Sequence, residues 1–415
     1  MKNLKIIAIL AIFTMVSINW IYLLINSMKT SIQKNEEVVF WSLQMGTFDK
    51  YMTPLISEFE KMHPNIKIKW IDVPYAEGEK RTLASILSNT PPDLVNLTPD
   101  FSSVLAQKQA LEFIDCSRLQ GYNQQIVEIL KYSGRCYAVP FYATSAITLY
   151  NKEIINKSQI SQLPKTYDDI FKIANDVKIK SNAFVTMPTL TENDTFLKIL
   201  NKYDINSAEK LSNNEAEKLL VEFKTLYNND LIPKESITQN HQEALEKYMS
   251  GQLALIQSGA NFLNIVKENA PQVFSQTDVL QQLVGSNDKY DVSVMNLVIP
   301  ARAKHKEAAL EFALFLTNKK NQVELAKLTT ILPVNSEALD DNYFVRYDEN
   351  DIISKARYIS AKQLKNLQIP VKFQKNQKER ITLLNTTVQK IVLGEVPVRQ
   401  GLKECKMLWM SMEQN

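Results

Sequence analysis

The chain has 415 residues, with 45% hydrophobic and 22% charged side chains and a formal net charge of +3. That length excludes a single small domain and allows two or three domain-sized units with large cores. Lys2, Lys5, Lys29 and Lys34 precede the first acidic residue, and setting them aside leaves 44 basic against 45 acidic groups, a balance that asks for no nucleic acid partner.

The segment Leu4 to Ile25 is about 22 residues of mostly Ile, Leu, Ala, Val and Phe, with Lys5 near its start as its one charge, long enough to span a bilayer. It ends in Ile25-Asn26-Ser27-Met28, without the small-residue cleavage pattern of a secretory signal. This predicts an uncleaved anchor, with a cleaved signal peptide as the alternative. Residues 1–35 thus form an anchor or signal segment and a linker. The slight excess of lysines before the span places the N-terminus in the cytoplasm and the bulk of the protein outside.

Val38 to Trp41 reads as a buried parallel strand, followed by a loop, Ser42 to Phe48. Met52, Leu55, Ile56, Phe59 and Met62 recur at helical spacing up to His63-Pro64, and Ile66, Ile68 and Trp70 alternate with lysines as a half-exposed strand. A helix over Arg81 to Ser88 is expected to turn Leu83, Ile86 and Leu87 inward. Pro92 to Leu97 is the next strand, and the β-α-β-α-β succession predicts a doubly wound α/β unit. Tyr137 to Val139 is a short apolar run that Pro140 is expected to end, since proline has no N–H for a ladder. Ala146, Ile147, Leu149 and Tyr150 form a second run, so Phe141 to Ser145 lies between two strands.

Thr166 to Asp169 fits a capping box ahead of the buried face Ile170, Ile173, Ala174 and Val177. Helices follow around Leu219 to Tyr227 and Ala244 to Met249, the second ending at Gly251. A short strand then covers Leu253 to Gln257 and reaches a turn at Ser258-Gly259. Ser286 to Asp288 is a loop and Val292 to Ile299 a strand. Lys306 to Thr317 is a helix with Ala309, Phe312, Ala313 and Leu316 inward, and Arg380 to Leu393 and Val398 to Met412 are the last two helices. No internal repeat or low-complexity tract is present.

Several of these strings resemble bacterial extracellular solute-binding proteins of the sugar-binding, maltose-binding-protein-like type. Gly134, then Tyr137-Ala138-Val139-Pro140, then Leu149-Tyr150-Asn151-Lys152 is similar to that family's first interlobe crossing. The Trp strand, the Phe-Glu-x-x-x-Pro helix and the Ile-x-Ile strand occur in order from Phe40 to Trp70, followed by Pro92-Asp93. Pro164 to Ile170 resembles the family's Pro-x-Thr-aromatic-Asp helix start, and Leu332-Pro333 a late crossing. The chain departs from the pattern at Asn89-Thr90, where a small-Gly pair is usual, and at Asn261, where an aromatic is usual.

The resemblance implies the periplasmic-binding-protein-like type II fold: two doubly wound α/β lobes joined by a multi-strand hinge. On that reading residues 36–143 with 296–332 form the N-terminal lobe, and 144–295 with 333–415 the C-terminal lobe. The return to the first lobe falls near Asn296 and a later passage at Ile331 to Asn335. Two lobes of this kind hinge shut over a ligand held by both.

Enzyme signatures are missing: His63, His241 and His305 are far apart, and no Gly-x-Ser-x-Gly, Walker-type or Cys-x-x-Cys string occurs. Neither catalytic residues nor a metal or other cofactor is expected. With three cysteines, one at least stays unpaired; Cys116 and Cys136 are the candidate disulfide, against two buried thiols, and Cys405 is expected in the core.

Ligands of open α/β sheets are met by loops at the carboxyl ends of strands. That rule nominates Trp41, Gln44 and Phe48 after the first strand, Asp100 after the Pro-Asp strand, Tyr142 and Thr144 at the crossing, and Asn261 with Phe262 beyond the Gly251 string. Aromatic faces suit the C–H faces of a sugar, and carboxylates and amides suit its hydroxyls. Plainer roles stand beside these: Trp41 as core, Phe48 as a staple on the next helix, Asp100 as an N-cap of Phe101 to Lys108, and Asn261 as a helix start. Asp100 also resembles an Asp that binds sugar hydroxyls in the family.

The expected function is the extracytoplasmic solute-binding component of an ABC importer. It would act as a monomer, capture a sugar or oligosaccharide and deliver it to permease subunits in the membrane. The alternatives are a different small solute, a sensor for a membrane kinase, and an anchored carbohydrate-active enzyme.

Overall fold

The computed structural model describes residues 35–372 and 376–414, together with Ser17, Trp20 and Ile21. The expected membrane segment Leu4 to Ile25 lies, apart from those three residues, outside them. No helix among the described residues is long and apolar enough to cross a membrane. The chain divides into two compact units, the first containing residues up to Leu97 with Lys108–Glu112 and Val298–Phe315, the second the remainder.

In the first unit β1 (Glu36–Leu43), β2 (Ile66–Val73) and β3 (Leu94–Leu97) run parallel in the order β2-β1-β3, as a doubly wound pattern requires. Strand β3 is buried at every residue, which is why it reads as an unbroken apolar run around Asn96. The helix Asp49–Met62 buries Met52, Leu55 and Phe59, and Phe59 meets Phe312 of the helix Lys306–Leu316 at 5.0 Å. Met62, expected on that buried face, is 59% exposed.

Asp93 is the knot of this unit. Its buried carboxylate accepts the backbone N–H groups of Val39 at 3.0 Å and of Lys304 and His305 at 2.9 Å each. One side chain therefore fixes strand β1 and the entry to the Lys306–Leu316 helix together.

The helix Gly78–Leu87 starts earlier than expected and buries a different face. Gly78 and Thr82 point inward, while Leu83 and Leu87 are 39% and 78% exposed. The cause is close approach: a Cβ on Gly78 would collide with Leu43, so the turn carrying Gly78 sits nearest the sheet and Thr82, four residues on, shares its face.

In the second unit β4 (Ala138–Thr144) runs straight through Pro140, so Phe141 to Ser145 is not a connection between strands as expected. Proline is tolerated because β4 is the end strand beside β8, where one row of N–H groups needs no ladder partner. On β4, Ala143 exchanges backbone hydrogen bonds with Leu332 at 3.0 and 2.7 Å. Next come β5 (Ala146–Asn151), β6 (Leu255–Gly259), β7 (Thr277–Leu280) and β8 (Ser293–Val298). Strand β5 lies between β6 and β7 and is antiparallel to both. Strand β6 is shifted from its expected place: Leu253 makes an isolated bridge to Phe184, and Ser258 and Gly259 belong to the strand rather than to a turn.

The capping box is complete. Asp169 N–H donates to Thr166 Oγ1 and Thr166 N–H to Asp169 Oδ2, each at 3.1 Å, at the start of the helix Tyr167–Ser181. The helices Gln377–Leu393 and Val398–Gln414 join the core of this unit, where the buried Trp409 indole donates to Arg380 O at 3.1 Å. Cys405 is free and buried there, which pushes its thiol up to about 12.

Cys116 and Cys136 form a disulfide with Cα atoms 5.5 Å apart. Titrating thiols in the unreduced, unfolded protein should count one, from Cys405, and a count of three would contradict the bond. A second expectation concerns Asp278 on β7, which accepts from Lys355 Nζ at 2.7 Å and from the Tyr150 hydroxyl at 3.1 Å. Burial works against its charge, but Lys355, the Val279 N–H and Tyr150 together outweigh it and hold its pKa below the ordinary 3.8. A depressed carboxylate stabilises the fold above its ordinary pKa and stops doing so as pH falls through the folded value. Asp278→Asn should therefore cost about 1 to 3 kcal/mol near neutral pH. Urea midpoints of the two proteins should converge in acid, and an undiminished gap there would show that the charge is not responsible.

Candidate functional site

In the first unit the loop after β1 is shaped by a residue that the sequence reading did not single out. Asp72 lies opposite Ser42 in the β1–β2 register; its Oδ1 accepts from Ser42 Oγ at 2.6 Å and Met45 N at 2.7 Å, and its Oδ2 from Gly46 N at 2.8 Å. Ser42 Oγ in turn accepts from the Trp70 indole at 2.7 Å. The carboxylate thus holds the loop that carries Gln44 and leads to Phe48. Gln44 is exposed with a φ of 54°, and its N–H is held by Val73 O at 2.9 Å. Phe48 is half-buried at the entry to the helix Asp49–Met62. Trp41 is also half-buried, unlike the fully buried Phe40 before it, and its buried indole N–H has no partner among the described residues.

In the second unit the helix carrying Asp100 begins at Pro99, two residues earlier than expected. Thr98 takes the capping role, accepting Phe101 N–H at 3.4 Å on its hydroxyl and Ser102 N–H at 3.0 Å on its carbonyl. Asp100 is therefore an exposed first-turn carboxylate and not the N-cap. Its field reaches Lys198 and Lys372. Burial opposes the Lys198 ammonium, yet Asp194 beside it at 2.9 Å, with Asp291 and Asp100 adding to it, raises its pKa. For Lys372, whose Nζ donates to Ile129 O, burial outweighs the attraction of Asp100 and Glu128 and lowers the pKa.

Asp100 thereby joins a cluster that sequence reasoning missed. Lys202, 1% exposed, pairs with Asp291 at 2.9 Å and donates to Gln282 Oε1 at 2.8 Å and Lys289 O at 3.3 Å. Burial outweighs the Asp291 charge and lowers its pKa. The loop after Gly285 rests on this lysine's backbone, close enough that a Cβ on Gly285 would strike Lys202 O. Asn287 Nδ2 then donates to Asn201 O at 2.9 Å and to Gln368 Oε1 at 2.6 Å. Asp194, Lys198, Asn201, Asp291 and Gln368 border a space of about 20 Å³. That is room for one water and not for a sugar ring. The one signal in the sequence was the four-residue spacing of Asp194, Lys198 and Lys202, which puts all three on one helical face.

Tyr142 and Thr144 are half-buried on one face of β4, alternating with the buried Phe141 and Ala143. Asn261 and Phe262 stand elsewhere, at the end of β6. Asn261 is exposed at the start of the helix Phe262–Asn269 but makes no capping hydrogen bond. Phe262 packs edge-on against His241 at 5.3 Å, and His241 Nε2 lies 2.8 Å from Ser258 Oγ. Burial lowers the His241 pKa against the pull of Glu192. Of the eight residues nominated from sequence, then, Trp41, Gln44 and Phe48 share one loop region, Tyr142 and Thr144 one strand face, and Asn261 and Phe262 one helix start. Asp100 belongs with the charged cluster. Among the described residues no group of three His, Cys, Asp or Glu side chains is placed to hold a metal ion.

Residues 45–323 match the family model for bacterial extracellular solute-binding proteins. The multiple sugar-binding protein of Streptococcus mutans is 23% identical, over 71% of this chain and 74% of its own length. The galactooligosaccharide-binding protein of Bacillus subtilis is also 23% identical, over 76% of this chain and 77% of its own. Among solved structures, a Synechococcus sp. MITs9220 protein provisionally described as oligosaccharide periplasmic-binding superposes with a TM-score of 0.79 at 28% identity, covering 90% of this chain and 98% of that one. A cyclo/maltodextrin-binding protein complexed with maltotetraose, 18% identical, superposes with a TM-score of 0.74 over 91% of this chain and 97% of its own. The matched segment takes in Asp72, Asp93, Asp100, β4 and the Lys202–Asp291 pair, and the chain belongs to the bacterial extracellular solute-binding protein family.

Proposed function

We propose that this extracellular solute-binding protein captures a neutral sugar or short oligosaccharide for an ABC importer. The observation that carries the reading is the charge balance of the cluster around Asp100. Lys198 and Lys202 each have a carboxylate within 2.9 Å, and the charge of Lys372, whose Nζ donates to Ile129 O, is offset by Asp100 and Glu128, so the cluster has no surplus cation to demand an anion. Asp100, Tyr142 and Thr144 offer acceptors, hydroxyls and one aromatic face, the set that a polyol uses. The two relatives whose names specify sugars support the same ligand class. In the first unit, Trp41 is a separate candidate contact, a half-buried aromatic face whose indole N–H would suit a hydroxyl. We also propose that Leu4 to Ile25 keeps the protein on the membrane, beside the permease it serves.

A thermal-shift screen over mono- and oligosaccharides tests the ligand class, since a ligand at 100 times its Kd adds about 2.7 kcal/mol of stability. No shift with any of them would overturn it. With a ligand in hand, Trp41→Ala and Asp100→Ala should each weaken binding by about 1 to 3 kcal/mol, roughly 5- to 150-fold, with little change in melting temperature. Lost stability with unchanged affinity would assign both residues to the fold instead. For attachment, the protein should fractionate with membranes and retain Met1 or Lys2 at its N-terminus, whereas a soluble mature form beginning near Lys29 would show cleavage.

A further inference from the structure

A cavity lies wholly within the second unit, lined by none of the residues nominated above. It measures about 590 Å³, inside the range of about 300 to 1,000 Å³ usual for small-molecule pockets. The helix Ile352–Gln363 and the residues after it supply one wall, with Tyr358, Lys362 and Lys365, and Asp340 and Phe344 lie across from them. Phe344 is buried and gives an apolar floor; Tyr358 is half-buried, its ring braced by Tyr347 at 4.9 Å.

The charges on the lining do not cancel. Lys362 and Lys365 are both exposed, and neither is within ion-pair distance of a carboxylate among the described residues. The Lys362 ammonium lies over the Tyr358 ring, with Nζ 5.9 Å from its centroid. Asp340 is the lone acid on the lining, so two ammonium groups face one carboxylate and the cavity is left with a formal charge of +1. Lys198 and Lys202, by contrast, are already neutralised.

We propose that this cavity is a second binding site, and that it takes a sugar-sized ring carrying one acidic group. The acid would sit between Lys362 and Lys365, the apolar face of the ring would lie on Tyr358 and Phe344, and Asp340 and the Gln125 amide would meet hydroxyls. A carboxylate and a phosphate satisfy the two lysines equally, so the shared chemistry is an anionic hexose. The inference stands on the cavity alone and is independent of the reading of the Asp100 cluster.

The test is isothermal titration of the full chain with glucuronate, glucose 6-phosphate and glucose. At least one of the two acidic sugars should bind, more weakly as salt is raised, since the contacts are exposed charges. Its affinity should fall by at least about tenfold in the double variant Lys362→Ala/Lys365→Ala, as expected for lost charged hydrogen bonds, and be unchanged in Asp100→Ala. Both lysines are exposed, so the double variant keeps its core. Which acid binds tells carboxylate from phosphate. Absence of binding by both acids, equal binding by the double variant, or loss of binding in Asp100→Ala alone would each overturn the proposal. Binding of glucose that Asp100→Ala weakens bears on the first site only.

Discussion

An ammonium group as deeply buried as that of Lys202 has to be satisfied, and the polar architecture of the second unit follows from how this is done. Asp291, Gln282 and the carbonyl of Lys289 surround Nζ, and Asp291 N–H returns to Gln282 Oε1 at 2.7 Å. Removing either member of a buried ion pair typically costs about 3 to 5 kcal/mol, far more than an exposed pair contributes. The segment between Gly285 and Asp291 is therefore held rigidly, and through Asn287 and Gln368 it also positions the chain that leads to Lys372. A binding surface made of exposed carboxylate, amide and hydroxyl groups needs such a frame, because a loosely held site would lose affinity to ordering entropy.

Two carboxylates play the corresponding part in the first unit. Asp93 gathers three backbone N–H groups from two distant segments, and Asp72 gathers two, with a hydroxyl in addition, from the loop after β1. Each answers the same requirement, that backbone donors leaving a strand end or approaching a helix start must find acceptors. The Pro-Asp string that resembles the family has its physical explanation here: Asp93 is a structural tie, and the ligand-facing candidate is Asp100, a turn of chain further on.

The charged cluster and the lysine-lined cavity border opposite ends of one short segment. Asn123 Nδ2 holds Leu364 O at 2.8 Å and Gln125 Oε1 accepts Leu367 N–H at 3.1 Å, both from the cavity side. Gln368, Pro370 and Val371 follow directly and border the small space beside Lys198 and Asp291. Charge separates the two places. The cluster is neutralised by pairing, whereas the cavity keeps a surplus cation.

Local chemistry alone determined much of this protein. The strands β1 to β3, the Thr166 capping box and the inward face Ala309, Phe312, Ala313 and Leu316 follow from periodicity and hydrogen-bonding groups a few residues apart. The ordered family strings were equally legible, because they are continuous in the chain. What only the tertiary structure decided depends on partners far apart in sequence. Thr82 instead of Leu83 faces inward because Gly78 meets Leu43, and Pro140 stays in a strand because β4 is an end strand. Lys202 reads as an ordinary surface lysine on its helix until Gln282, Lys289 and Asp291 close over it, some 80 or more residues later in the chain. A buried charge is stable only where the fold brings its counter-charge, and sequence spacing carries no record of that distance.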